Sequence, residues 1–236
     1  MKKITILFIF LLFIGITGNI MALEMQISGG VDLSFVTHKV ENTIVEPLVP
    51  PLYFGINYAN TASFTSIGIS FLIRVFPDDY NAFSTGFVFR DRAVFSLGWK
   101  ENGHIDGIPH SGKFKSKDGM YSIMDFGVGL SQRFLMTRRF SFYTDLGVNF
   151  TIMDFDDFED STINYWGAGM FADLSMQINF SQKIYLELGV NSVLNAFSSS
   201  KGNILDIEFK DSGRWDYSTV TAYLHIGWRY DLGSFR

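Results

Sequence analysis

The chain has 236 residues, a net charge of −5 and no cysteine. That length allows one domain of ordinary size. Without cysteine there is no disulfide framework, thiolate metal site or cysteine nucleophile, and the acidic balance offers no basic field for nucleic acid. Aromatic residues reach 17% and charged residues 18%, yet beyond the first two dozen positions no run approaches the roughly 18 consecutive apolar residues of a membrane-crossing helix.

Lys2 and Lys3 precede an apolar run from Ile4 to Thr17, and small residues follow to Ala22. This order predicts an export signal over 1–22 and a single domain over 23–236. The rest alternates apolar and polar side chains with period two, the mark of half-buried strands. The first predicted strand runs from Glu24 to Thr37, with Met25, Ile27, Val31, Leu33 and Phe35 on one face and Gln26, Ser28, Gly30, Asp32 and Ser34 on the other. A second spans Ser63–Phe76. The third runs from Ala82 to Lys100, placing Phe83, Phe87, Phe89, Ala93, Phe95, Leu97 and Trp99 on its apolar face. The fourth to seventh cover Met120–Phe134, Phe140–Met153, Tyr165–Phe180 and Ile184–Asn195. In the last, Val220, Ala222, Leu224, Ile226, Trp228 and Tyr230 oppose Thr219, Thr221, Tyr223, His225, Gly227 and Arg229.

Eight such strands predict an all-β, antiparallel up-and-down barrel that spans a membrane. Connections alternate in length: 77–81, 135–139 and 181–183 are short, whereas 38–62, 101–119, 154–164 and 196–216 are long. Bacterial barrels of this kind have short periplasmic turns and longer outer loops. A turn at Arg90-Asp91-Arg92 would split the third strand and break the even count; a hairpin folded from a long loop would give ten strands instead. Alternation alone leaves inside and outside interchangeable, since a soluble barrel buries its apolar face. Three features turn the apolar face toward lipid. One opposing face carries Gly30, Gly68, Gly86, Gly127, Gly147, Gly169, Gly189 and Gly227, which suits a narrow lumen. Aromatic residues gather at strand ends: Phe83, Phe134, Phe140, Phe180, Trp228 and Tyr230 on the turn side, Phe35 and Trp99 on the loop side. The third feature is the asymmetry of the connections.

The last strand reads His225-Ile226-Gly227-Trp228-Arg229-Tyr230-Asp231-Leu232. With the pattern of the whole mature chain, it resembles the small bacterial outer-membrane β-barrel proteins, the group of OmpX, OmpW and the OmpA membrane domain, including a spirochaete set of such barrels. The resemblance implies an outer-membrane location, contact with outer-membrane lipid, and an assembly signal at His225, Gly227, Tyr230 and Leu232 that engages the barrel-assembly machinery. Many members end on an aromatic residue; this chain continues through Gly233, Ser234, Phe235 and Arg236.

Inward parity assigns Asp32, Arg74, Arg90, Asp125, Arg133, Asp145, Asp173, Glu187, His225 and Arg229 to the lumen. Counting from the short turns places Arg74, Arg133, Arg229 and Glu187 low and the others near mid-barrel, so a basic lower layer and an acidic upper layer are expected. An eight-stranded lumen is just wide enough for side chains to fill it, which points to a paired, polar plug. The alternative is a narrow pore whose charged rings bias the passage of small solutes, or a passage for hydrophobic compounds, and it is against the latter that the polar inward face counts. A third reading is a lipid-modifying enzyme, but His38, His104, His110 and His225 show no spacing to a nucleophile or carboxylate that singles out a catalytic group. No cofactor is implied. The acidic run Asp154, Asp156, Asp157, Glu159 and Asp160 lacks the spacing of a calcium loop, so no metal site is assigned. The outer loops are candidates for an extracellular partner: a Pro-stiffened first loop over Glu46–Phe54, and a polar, mobile second loop with His104 and His110.

Overall fold

A computed structural model describes residues 24–47, 56–77, 83–156, 162–204, 207–211 and 214–231. The alternating stretches form strands β1 (Glu24–Pro47), β2 (Ile56–Phe76), β3 (Ser84–Ile105), β4 (Ile108–Lys115), β5 (Met120–Met136), β6 (Phe140–Asp156), β7 (Thr162–Asn179), β8 (Ile184–Ile204), β9 (Ile207–Asp211) and β10 (Arg214–Asp231). Each pairs antiparallel with its neighbours, and β10 pairs with both β8 and β1, which closes a ring of eight strands. The remaining two come from long connections above the ring: β4 pairs with β3, and β9 lies between β8 and β1. Thus the eight-stranded barrel forms, and both additional strands are extensions of it. Among the described residues no helix is long and apolar enough to cross a membrane.

The alternating pattern runs straight through Arg90-Asp91-Arg92. These residues pair with Leu72, Phe71 and Ser70 on one side and with Gly127, Phe126 and Asp125 on the other. The outer surface is apolar: Val31, Leu146, Ile69 and Met170 are 56%, 58%, 66% and 67% exposed. The inner surface over the same levels is buried and mainly polar, with Leu72, Val88, Val94 and Phe171 interleaved. A water-soluble barrel does not expose a continuous apolar belt of this extent, so the geometry is that of a membrane-spanning barrel with lipid outside. Phe83, Phe134, Phe140, Phe180, Trp228 and Tyr230 all stand outward near the short-turn end.

Along β1, β2, β3, β5 and β6 the polarity of the two faces inverts at the upper edge of this belt. On β1 the outward series Val31, Leu33, Phe35 gives way to Thr37 and Lys39, while the inward series Asp32, Ser34 gives way to Val36, His38 and Val40. On β2, Phe64 and Ala62 turn inward above Ser66, with Ser63 outward. Tyr121 and Ile123 on β5, Met153 on β6, Tyr165 on β7 and Val193 on β8 complete an apolar inner ring. Above the membrane the barrel is therefore built like a soluble one. The outward apolar segment Met25–Phe35 matches the roughly 9–11 residues of a tilted membrane strand.

One residue departs from the parity expected of it. Trp99 faces inward and is buried, not outward with Leu97. A bulge opposite Thr65 shifts the β2–β3 register between Phe64 and Ser66. Gly98 absorbs it at φ +126°, a conformation that a side chain resists. The extra residue flips everything after it, so Lys100 points outward. The second long connection is likewise ordered: β3 and β4 join through Asp106-Gly107, both at positive φ, with Ile105 opposite Ile108. This is the two-residue hairpin geometry that Asp-Gly favours.

Candidate functional site

The lumen is built from the inward residues of all eight ring strands, and it is full. Arg74, Arg92 and Arg133 are at most 1% exposed. At the short-turn end Glu24 lies between two cations, with its carboxylate 2.7 Å from Arg133 Nη1 and 3.0 Å from Arg229 Nε. Gln26 Nε2 donates to Glu24 Oε1 (2.6 Å) and to the Tyr143 hydroxyl (2.9 Å), and accepts from Gln177 (2.8 Å). One level higher, Arg74 holds Asp145 through Nε (3.1 Å) and Nη2 (2.7 Å), Glu187 through Nη1 (2.7 Å) and Ser175 (3.0 Å). Asp173 accepts from Arg90 (2.7 Å) and from the Tyr223 hydroxyl (2.7 Å). Beside it Ser70 bridges Asp32 (2.6 Å) and His225 Nε2 (2.6 Å).

A second network sits above. Arg92 Nε donates to Asp125 at 2.9 Å, and the same guanidinium reaches Tyr217 (3.1 Å), Ser34 (3.3 Å) and Thr221. Asp125 also accepts from Thr151 and from Asn149 (3.2 Å). All ten lumen residues read from the sequence are thus inward and buried. All but Asp125 belong to the lower network, whose levels are joined through Gln177–Glu187 (3.3 Å), Tyr223–Glu187 (3.4 Å) and Ser28, which lies 3.4 Å from both Glu187 and His225. The expected separation into a basic and an acidic layer is not found. Signs alternate at every level, because a buried charge needs its opposite within hydrogen-bond reach. Sequence reading missed Glu24, Arg92 and the tyrosines that share these bonds; Arg92 has the same parity as Arg90 and was legible.

Inward glycines make room for this filling. Tyr185 lies across Gly227 and Tyr223 across Gly189, each directly opposite on the neighbouring strand, so a Cβ at either glycine would overlap the ring. Arg229 stacks on Tyr185 (5.6 Å), Arg74 on Tyr143 (4.6 Å) and Arg133 on Phe76 (4.6 Å), contacts that add cation–π attraction in a buried interior.

Aromatic side chains close the outer end. Phe64 stacks on Tyr121 (4.8 Å), and Trp99 meets Tyr121 (5.6 Å) and Phe155 (5.3 Å) edge-on. The inward face is therefore mainly polar within the membrane and mainly apolar above it, where Asn60 and His38 are buried among the aromatic residues, contrary to the uniform polarity read from the sequence. His38, expected in a loop, stands in this cap with its ring edge-on to Tyr165 at 4.9 Å. It lies above the apolar belt, and burial pushes its pKa down to about 3.

Ser70, His225 and Asp32 bring a hydroxyl, an imidazole and a carboxylate together. Nε2 faces both Ser70 (2.6 Å) and Asp32 (3.5 Å), and Nδ1 faces Ser28 (3.4 Å). Ser70 Oγ also donates to Asp32, and all four residues are buried within the network, so neither hydroxyl presents a face to a substrate. Among the described residues no group of His, Asp and Glu is arranged to hold a metal; Asp157, Glu159 and Asp160 lie outside them. Of the residues expected to form an assembly signal, His225 and Gly227 face inward and Tyr230 is outward at the short-turn end. Leu232, the expected export segment over 1–22 and residues 48–55 of the first long loop lie outside the described residues.

No family model matches the chain, and no curated protein matches it. Solved structures with a similar arrangement are bacterial outer-membrane proteins. The outer membrane protein OprG from Pseudomonas aeruginosa shares 13% identity over 89% of this chain and 96% of its own, with a TM-score of 0.44. The outer membrane protease OmpT from Escherichia coli shares 6% over 90% and 98%, at 0.45. Ail, the attachment invasion locus protein of Yersinia pestis, shares 13% over 86% and 98%, at 0.38.

Proposed function

We propose that this chain is a non-conducting, non-catalytic outer-membrane anchor, exported by its N-terminal segment, that stabilises the envelope and presents an outer crown of strand extensions to an extracellular partner. The observation that carries this reading is the filled lumen. Sign-alternating networks occupy the membrane part, and a packed aromatic cap lies over them. A pore would need a hydrated path with exposed charges, whereas here the arginines are buried and each is held by a carboxylate. The crown is ordered β-structure: the β3–β4 hairpin and the β8–β9 extension reach beyond the ring. In the same reading His225, Gly227, Tyr230 and Leu232 guide insertion by the barrel-assembly machinery.

The test is to refold the chain from residue 23 in detergent, confirm insertion by a mobility difference between boiled and unboiled samples, and record planar bilayers. A heat-dependent shift with no discrete conductance steps is expected. Regular single-channel openings from pure protein would overturn the non-conducting reading. Full solubility in buffer with no heat shift would overturn the membrane assignment.

A further inference from the structure

The outer wall formed by β1, β2, β3 and β4 is basic where the apolar belt ends. Cross-strand register puts Thr37, Ser63, Lys100 and Lys113 in one outward row. Just below stand Phe35 and Leu97, 61% and 58% exposed, with Lys115 opposite Gly98. Leu33, Ile67 and Phe95 continue the apolar surface downward. An open groove of about 610 Å³ runs across this boundary, lined by Phe35, Thr37, Ser63, Leu97, Lys100 and Lys113 among others.

Lys100 and Lys113 are direct cross-strand neighbours on the same face. Like charges so placed destabilise a sheet, and among the described residues no carboxylate pairs with Lys100, Lys113 or Lys115. The nearest acids in sequence are engaged elsewhere. Glu101 turns inward to accept from Trp99 Nε1 (2.8 Å), and Asp118 accepts from the Lys115 backbone (2.8 Å). The bulge at Gly98 is what brings Lys100 to the outside, so the basic pair is a product of the irregularity in β3. A strand edge that places two uncompensated ammonium groups over an apolar floor, at the height where lipid headgroups begin, is matched to a ligand with an anionic head and a hydrocarbon tail.

We propose that this groove binds an anionic membrane lipid of the outer leaflet. Its phosphate lies against Lys100 and Lys113 and the hydroxyls of Thr37 and Ser63, and its acyl chain lies along Phe35 and Leu97. The inference rests on the membrane insertion proposed above and not on the closed lumen. Attraction of lysines to an anionic headgroup adds to burial of the chain, and both act only when charge and tail are joined in one molecule.

The test uses refolded chain in detergent micelles, with native mass spectrometry after addition of dioleoyl phosphatidylglycerol, dioleoyl phosphatidylcholine, or inorganic phosphate in excess. Retention of one phosphatidylglycerol per barrel is expected, with weaker retention of phosphatidylcholine and no displacement by inorganic phosphate. The double change Lys100→Gln with Lys113→Gln is expected to weaken retention on the order of thirtyfold, a factor of roughly five for each lysine. Lys117→Gln, on the exposed β4–β5 turn, should leave it unchanged. Should the double variant lose its heat shift, Lys113→Gln alone, outside the closed ring, gives the reading. Equal retention of the two lipids, or retention untouched by the lysine changes in a folded barrel, would overturn the proposal. Displacement by inorganic phosphate would reassign the groove to a free anion.

Discussion

Among the described residues, Asp91 is the charged side chain that the ring strands turn outward inside the apolar belt. It stands on β3 between Phe71 of β2 and Phe126 of β5 and borders a groove of about 450 Å³. Its two neighbours in sequence, Arg90 and Arg92, are drawn into the lumen by Asp173 and Asp125, and period two then leaves Asp91 no choice of face. A lipid-facing acid in a barrel costs less than the roughly 2–4 kcal/mol of a midplane Arg or Lys, but it still costs. Asp91→Leu is therefore expected to stabilise the inserted barrel, on the order of 1 kcal/mol, read as a higher urea midpoint for loss of the heat-shifted band. A lower midpoint would mean that the carboxylate is satisfied from outside the chain, by a second protein in the membrane.

At the scale of elements, the bulge in β3 decides which side chains form the cap. Gly98→Val would force a branched side chain into φ +126°, against the Phe114 carbonyl, which an added Cβ would approach at 2.7 Å. Strain of this kind costs on the order of 1–3 kcal/mol, and the cheapest relief is to remove the bulge and turn Trp99 outward. The expected result is a folded barrel in which Trp99, kept as sole tryptophan, is quenched readily by acrylamide; unchanged protection would show that another residue can hold the bulge. Sequence alone could not place that event. Apolar Trp99 continues the parity of Phe95 and Leu97, and nothing in the string marks an extra residue except a glycine, of which the strands hold many. The β3–β4 hairpin was legible, because Asp106-Gly107 is the dipeptide that a two-residue turn requires; its polar surroundings read instead as a mobile loop. Strand existence, the ring of eight and the inward parity of the lumen charges were legible because a one-residue slip would put arginine into lipid. Pairing within the lumen was not, since it depends on which strands face each other across the barrel.

At the scale of the whole molecule, the inversion of the two faces makes the barrel a stack of two structures with opposite solvents. The lower storey has lipid outside and a charged filling; the upper has water outside and an apolar filling. Their responses to acid should differ. His38 lies in the upper storey with its pKa pushed down to about 3 by burial, so it is neutral when folded. In the unfolded or opened chain it takes up a proton below its ordinary value near 6.5. A folded pKa below the unfolded one means that stability from this group is complete above pH 6.5 and falls as pH drops toward 3. At pH 5 the linkage amounts to about 2 kcal/mol. Hydrogen exchange should then show residues 36–40 of β1 and their ladder partners, 60–64 of β2 and 215–219 of β10, opening first as pH falls from 7.5 to 5, with the membrane levels of the same strands still protected. His38→Phe keeps an aromatic ring against Tyr165 and removes the proton site, so the acid sensitivity of the crown should be lost while the lower storey is unchanged. If the variant opened at the same pH as the natural chain, the crown would be held by its carboxylates and not by the neutrality of His38.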